Sequence, residues 1–165
     1  MPKQTTSQQI AAHLTQSYME NGKDADILQD FSQTLEKRVR TLKKEGDRQL
    51  YQDMGSLLYC VRDLRGSCRD TAESVLRNDP KNTRQDLDRS ALRVREIGQL
   101  LVDIRQAHPQ EYEKSCKEFT DSWRSTEFEK GDEVLRMSGL ARPVRQKSEA
   151  PKETVKNNAG PVPGL

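Results

Sequence analysis

Apolar residues recur along this chain at steps of three, four and seven, the repeat that gathers them on one side of an α-helix. Ile10, Leu14 and Tyr18 begin the pattern, with Thr6 and Gln9 in capping-box register ahead of them and Asn21-Gly22 as a stop. Asp24 can cap a second run, Leu28, Phe31, Leu35 and Leu42, which resumes beyond Gly46 as Leu50, Met54, Leu57, Leu58, Val61 and Leu64. A glycine costs a helix interior only about 1 kcal/mol. One long, kinked helix over 25–65 is therefore the first expectation, and a helix-turn-helix pivoting at Gly46 the second. Gly66-Ser67 predicts a break, after which Ala72, Val75 and Leu76 mark a short helix that stops before Pro80.

Asn78-Asp79-Pro80 signals a turn, and Asn82-x-x-Gln85 and Thr83-x-x-Asp86 both match the capping box of a new helix. Leu87, Ala91, Val94, Ile97, Leu101 and Ile104 trace its apolar stripe as far as His108. Pro109 suits the first turn of a further helix, in which Tyr112, Cys116, Phe119 and Trp123 form the most aromatic stripe of the chain, and Gly131 interrupts before 134–137. No window alternates β-branched or aromatic residues with polar ones as a strand would. The expected fold is all-α, a helical bundle or an extended helical hairpin with a coiled-coil-like seam. Its divisions are a flexible N-terminus (1–5), a helical domain (6–137) and a disordered basic tail (138–165). The tail is inferred from Pro143, Pro151, Pro161 and Pro163 with Gly139, Gly160 and Gly164.

Composition makes the folded body slight. Only 32% of residues are hydrophobic and 33% are charged, toward the polar edge of what offsets chain entropy, so a thin, elongated or oligomeric body is expected. Nothing approaches the roughly 20 consecutive apolar residues of a membrane span, and the first residues lack the apolar run of a secretory signal, which predicts a cytoplasmic or nuclear protein. Cys60, Cys68 and Cys116 are odd in number and lack CxxC spacing, so they read as packing residues and not as a disulfide framework or zinc site. The net charge of +2 is uneven: from 138 onward five basic residues face two acidic ones, leaving +3 on the tail and −1 on the body.

Catalytic chemistry finds little support. His13 and His108 stand apart, and no HExxH, GxSxG, GxxxxGK or GxGxxG occurs. The pairs Asp86/Asp88 and Glu127/Glu129 are two apart, which aims them at different faces of a helix. No enzyme, metal or cofactor is expected. The basic residues are more suggestive. Lys37, Arg40 and Lys44 follow an i, i+3, i+7 rule within a stretch, 36–48, that holds six positive residues against three negative, and Arg62, Arg65 and Arg69 repeat the spacing. Each row could track a phosphate backbone, although such rows are also the ordinary wet faces of amphipathic helices. With three Phe, four Tyr and one Trp, mostly on apolar stripes, base stacking is not expected to contribute.

The order VLRNDPKNTRQDLD, a helix closing on Asp-Pro and another opening before Asp-Leu, resembles the helical hairpin of the small double-stranded-RNA-binding silencing suppressors of insect nodaviruses. The resemblance covers about thirty residues, 64–92. It implies an antiparallel dimer of hairpins lying along an RNA duplex, with Arg84, Arg89, Arg93 and Arg95 as its contacts. Asp86, Asp88, Glu96 and Asp103 interrupt that surface, where the resemblance calls for a largely cationic one.

The leading functional expectation is a non-enzymatic helical adaptor or regulatory protein that self-associates, as a homodimer, or docks a partner helix. Its binding seam would be Leu28, Phe31, Leu35, Leu42, Leu50, Met54, Leu57, Val61 and Leu64, unless an ordinary bundle consumes that stripe. The alternative is a backbone-reading double-stranded RNA binder that suppresses RNA silencing. A third expectation gives the basic tail a signalling role, as a secretion signal or a linear motif. Neither a membrane nor a small-molecule substrate is expected.

Overall fold

The computed structural model describes residues 6–21 and 27–140. Within them the chain is all-α, with seven helices and no strand: α1 (Thr6–Asn21), α2 (Ile27–Glu45), α3 (Arg48–Leu76), α4 (Pro80–Ala107), α5 (Pro109–Ser115), α6 (Lys117–Ser125) and α7 (Asp132–Met137). The expected segment 1–5, the Asp24 cap and residues 141–165 of the expected tail lie outside the described residues.

The spine is the hairpin of α3 and α4, each about 43 Å long at 1.5 Å per residue. Its turn follows from local chemistry. Asn78 takes the left-handed conformation (φ 55°) that asparagine tolerates, and the Asp79 carboxylate accepts a hydrogen bond from the Asn82 N–H at 3.2 Å. Pro80 occupies the first helical turn, where a missing N–H costs nothing. The turn stands where the sequence places it, but its cap is Asp79 and not Asn82 or Thr83; Thr83 is buried inside α4. Down the hairpin, Ser74 reaches Asp86 (3.2 Å), Ser67 reaches Ser90 (2.6 Å) and Asp53 reaches His108 (2.9 Å), so the two helices run antiparallel along their length.

Two expectations about glycine are corrected. The single helix over 25–65 is instead two, because Gly46 adopts φ +85° and the chain reverses there. Asp47 then caps α3 by accepting from the Leu50 N–H at 3.1 Å. Reversal lets the two halves of the long apolar stripe cover each other, a gain of roughly 1.5–3 kcal/mol per buried Leu that far exceeds the cost of ending one helix. Gly66-Ser67, expected to break the helix, lies inside α3. Ser67 keeps its hydroxyl satisfied by the Leu64 carbonyl and Ser90, so nothing there forces an end.

α1 covers the turn end of the hairpin, and of the stripe read from sequence Ile10 and Leu14 pack against the core. Ala11, Ala12 and Thr15 are the buried positions, while Ile10, Leu14 and Tyr18 are half-buried. Small residues let the backbones come close: a Cβ on Gly131, just before α7, would stand 2.7 Å from the Ala12 carbonyl carbon. At the open end α5 and α6, divided by an unforeseen turn at Cys116, fold back over α2. Phe119 stacks on Phe31 with ring centroids 3.9 Å apart; Tyr112, Cys116 and Phe119 of the expected aromatic stripe face inward, while Trp123 is half-buried. Ser138 and Leu140 are buried as well, so packing continues past the expected boundary at 138.

Candidate functional site

The nine residues expected as a partner-binding seam (Leu28, Phe31, Leu35, Leu42, Leu50, Met54, Leu57, Val61 and Leu64) are all buried in one core together with Leu87, Ile97 and Ile104 of α4. The stripe is spent inside the chain. A partner would have to displace α2 or α4 to reach it, so the seam is corrected from interface to core.

The basic rows divide between ties across helices, pairs within one helix and exposed side chains. Arg62 bonds Glu36 at 3.0 Å and Arg65 bonds Gln29, which fastens α3 to α2. Arg40 also takes Glu36 (2.7 Å), Arg69 pairs with Asp70 (3.7 Å) and Arg84 pairs with Asp88 (3.2 Å). Arg89 and Arg93 converge on Asp63, Arg93 at 2.7 Å. Burial acts to raise the Asp63 carboxyl, yet hydrogen bonds from Arg89 and Arg93 outweigh it and leave it below the ordinary aspartate value. Arg93 also lies over the Tyr59 ring, 5.0 Å from its centroid. Lys37, Lys44 and Arg95 are exposed.

By helical register, one outer stripe of the hairpin carries Asp63, Asp70, Glu73, Glu96 and Asp103 together with Arg48, Arg77, Arg89 and Arg93. Five carboxylates against four guanidiniums leave this face without a cationic excess. A surface meant to lie along an RNA duplex needs a clear cationic excess.

Other titratable groups are also engaged in structure. Arg38 grips Glu111 through two bonds of 2.7 Å, and Ser115 bonds the same carboxylate. The guanidinium holds the Glu111 carboxyl below its usual value, against burial. His13 accepts from the Lys130 N–H at 3.1 Å and meets the Phe128 ring edge-on. Cys60, Cys68 and Cys116 are all buried and none is in a disulfide, as expected of packing residues, and burial pushes the Cys116 thiol up to about 12. Among the described residues no group of His, Cys, Asp and Glu could hold a metal ion, and no helix is long and apolar enough to cross a membrane.

Three concavities stand out among the described residues. One of about 300 Å³ lies at the Gly46 reversal beside Lys43, Arg48 and Tyr51. A second, about 350 Å³, lies between α2 and α6 beside Phe31, Thr34, Lys114 and Glu118. The third and largest, about 440 Å³, runs between α4 and α6. Its floor is Ile97, Leu101 and Tyr112, its walls are Val102 and Trp123, and Arg105 and Arg124 stand at its mouth. Val102 is 46% exposed, one of four large apolar residues left in water among those described. Gly98 opens the middle of the groove, with nothing within 4 Å of the place a Cβ would occupy.

The groove went unforeseen because the dominant stripe of α4 overshadows it in the sequence. Gly98 and Val102 sit one position beyond Ile97 and Leu101, and that widening of the apolar arc was the available signal. Compared with known protein families, curated proteins and solved structures, the chain matches none.

Proposed function

We propose that this chain is a non-enzymatic helical interaction protein, an adaptor or regulator, that docks its partner on the α4–α6 groove. The observation that carries the reading is the combination at Gly98 and Val102. An interior glycine with open space above it sacrifices about 1 kcal/mol of helix stability relative to alanine without relieving any clash within the chain. Beside it, an apolar side chain and a half-buried indole face water. Apolar lining, a few placed polar groups and room for close backbone approach are what a helix-binding groove requires.

A photo-crosslinking residue tests this directly. Placed at position 102, and separately at the exposed Glu73 of α3, it is expected to give discrete crosslinked products in native extract from position 102 alone. Absence of any product from position 102 removes the reading.

Duplex-RNA binding and suppression of RNA silencing form the second reading. The helical hairpin turning at Asp79-Pro80 supports it; the lack of a cationic excess on the outer stripe and the pairing of Arg84, Arg89 and Arg93 with carboxylates oppose it. It requires a generic duplex to shift the protein at low salt and release it as salt rises.

A further inference from the structure

Resting on the groove reading above, we propose that the occupant is an acidic amphipathic helix of another protein, its apolar stripe seated over Gly98 and its carboxylates on Arg105 and Arg124. Among the described residues, the groove is lined by two guanidiniums and no carboxylate. Arg105 is steadied over the Tyr112 ring, 5.6 Å from the centroid, so its charge is held at the mouth and not swept through solvent. Arg124, at the last turn of α6, stands on the opposite wall and is exposed. A helix entering between them meets a cation on each side of an apolar floor.

Two other occupants fit the charge poorly. A second copy placed by two-fold symmetry would set the same two arginines of each chain against those of the other. The chain's own residues 141–165 carry five basic side chains against two acidic ones, the same sign as the groove. An acidic helix has the complementary sign. Its backbone can come close where Gly98 has no side chain, and its apolar residues at i, i+3, i+4 and i+7 can cover Val102 and the face of Trp123.

Trp123 is the single tryptophan of the chain, so its fluorescence reports on the groove alone. The probe is a synthetic helix of about fourteen residues with leucines at those four spacings and glutamates elsewhere; its counterpart carries lysines instead of glutamates. The acidic helix is expected to move Trp123 emission to shorter wavelength saturably, with affinity falling at least about tenfold as salt is raised from low to several hundred millimolar. Gly98→Leu fills the groove from a helix-favouring position with free space around it, so the variant is expected to stay folded, melt no lower, and lose at least about tenfold in affinity. The double variant Arg105→Glu/Arg124→Glu should reverse preference and take the lysine helix.

If neither helix moves Trp123, or both move it alike in the unaltered chain, the acidic partner is wrong. Should the acidic helix bind Gly98→Leu as well as the parent, the site lies elsewhere. Either failure leaves crosslinking from position 102 as a separate test of the groove as an interface, because that experiment assumes nothing about the partner's charge.

Discussion

Replacing Gly131 with alanine should be among the most damaging single-methyl changes this chain can suffer. The residue has φ +109°, a conformation that L side chains rarely adopt, and it lies against the backbone of α1. A Cβ there would come within 2.7 Å of the Ala12 carbonyl carbon, 2.8 Å of its Cβ and 2.9 Å of its oxygen. None of those atoms is the loose end of a side chain. Moving them means pushing α1 away from the loop that leads into α7, and with it the bond from Gln9 to the Phe128 carbonyl and the contact of His13 with Phe128. The left-handed backbone costs roughly 1–2 kcal/mol for a residue with a side chain, and overpacking adds about 1–3 kcal/mol. A loss of about 2–5 kcal/mol is therefore expected, read as a lowered urea midpoint with unchanged slope. Gly98→Ala is the internal control. Its added methyl meets nothing, so about 0.5–1 kcal/mol of stabilisation is expected there. A Gly131→Ala loss below about 1 kcal/mol would show that α7 and its loop do not pack on α1 as described.

Other consequences are open to measurement. Arg38→Ala leaves the Glu111 carboxylate, 6% exposed, without its guanidinium and should cost about 2–4 kcal/mol, whereas Arg38→Met with Glu111→Leu should be nearly neutral; chemical denaturation of the singles and the double decides. Glu111 and Asp63 are both held below their unfolded values of 4.5 and 3.8, so their stabilisation is complete above those values and is lost as pH falls through the lower folded ones. An acid titration followed by circular dichroism should show stability falling below about pH 4.5, with less of a fall in the Met/Leu double variant. Thr83 is fully buried with an unpartnered hydroxyl, and Thr83→Val should raise stability by about 1 kcal/mol, seen as a higher melting temperature.

The fold was legible where one local signal stood without a rival. Asn78-Asp79-Pro80 is a turn on any reading, and the stripe from Leu87 to Ile104 faces one way. Glycine was harder, since the same residue weakens a helix and also permits a reversal. Gly46 reverses the chain and Gly66 does not, and the difference lies in what surrounds them. Asp47 caps the next helix beyond Gly46, whereas Ser67 finds buried partners across the hairpin. The sites were less legible than the fold. A row of arginines has the same spacing whether it faces solvent or the carboxylates of a neighbouring helix, and only tertiary contact shows that Arg62, Arg89 and Arg93 are tied. The long seam likewise looked surplus until the reversal at Gly46 folded one half onto the other.

Docking on the α4–α6 groove requires that the long seam be core and the groove be surface, and circular dichroism of two matched variants tests this most directly. Leu57 is fully buried and Val102 stands half in water. Leu57→Asp is expected to abolish the cooperative helical transition, while Val102→Asp is expected to keep parental helicity and melt within a few degrees of the parent. A Leu57→Asp chain that stays folded, or a Val102→Asp chain that unfolds, would contradict the assignment of inside and outside on which the rest depends.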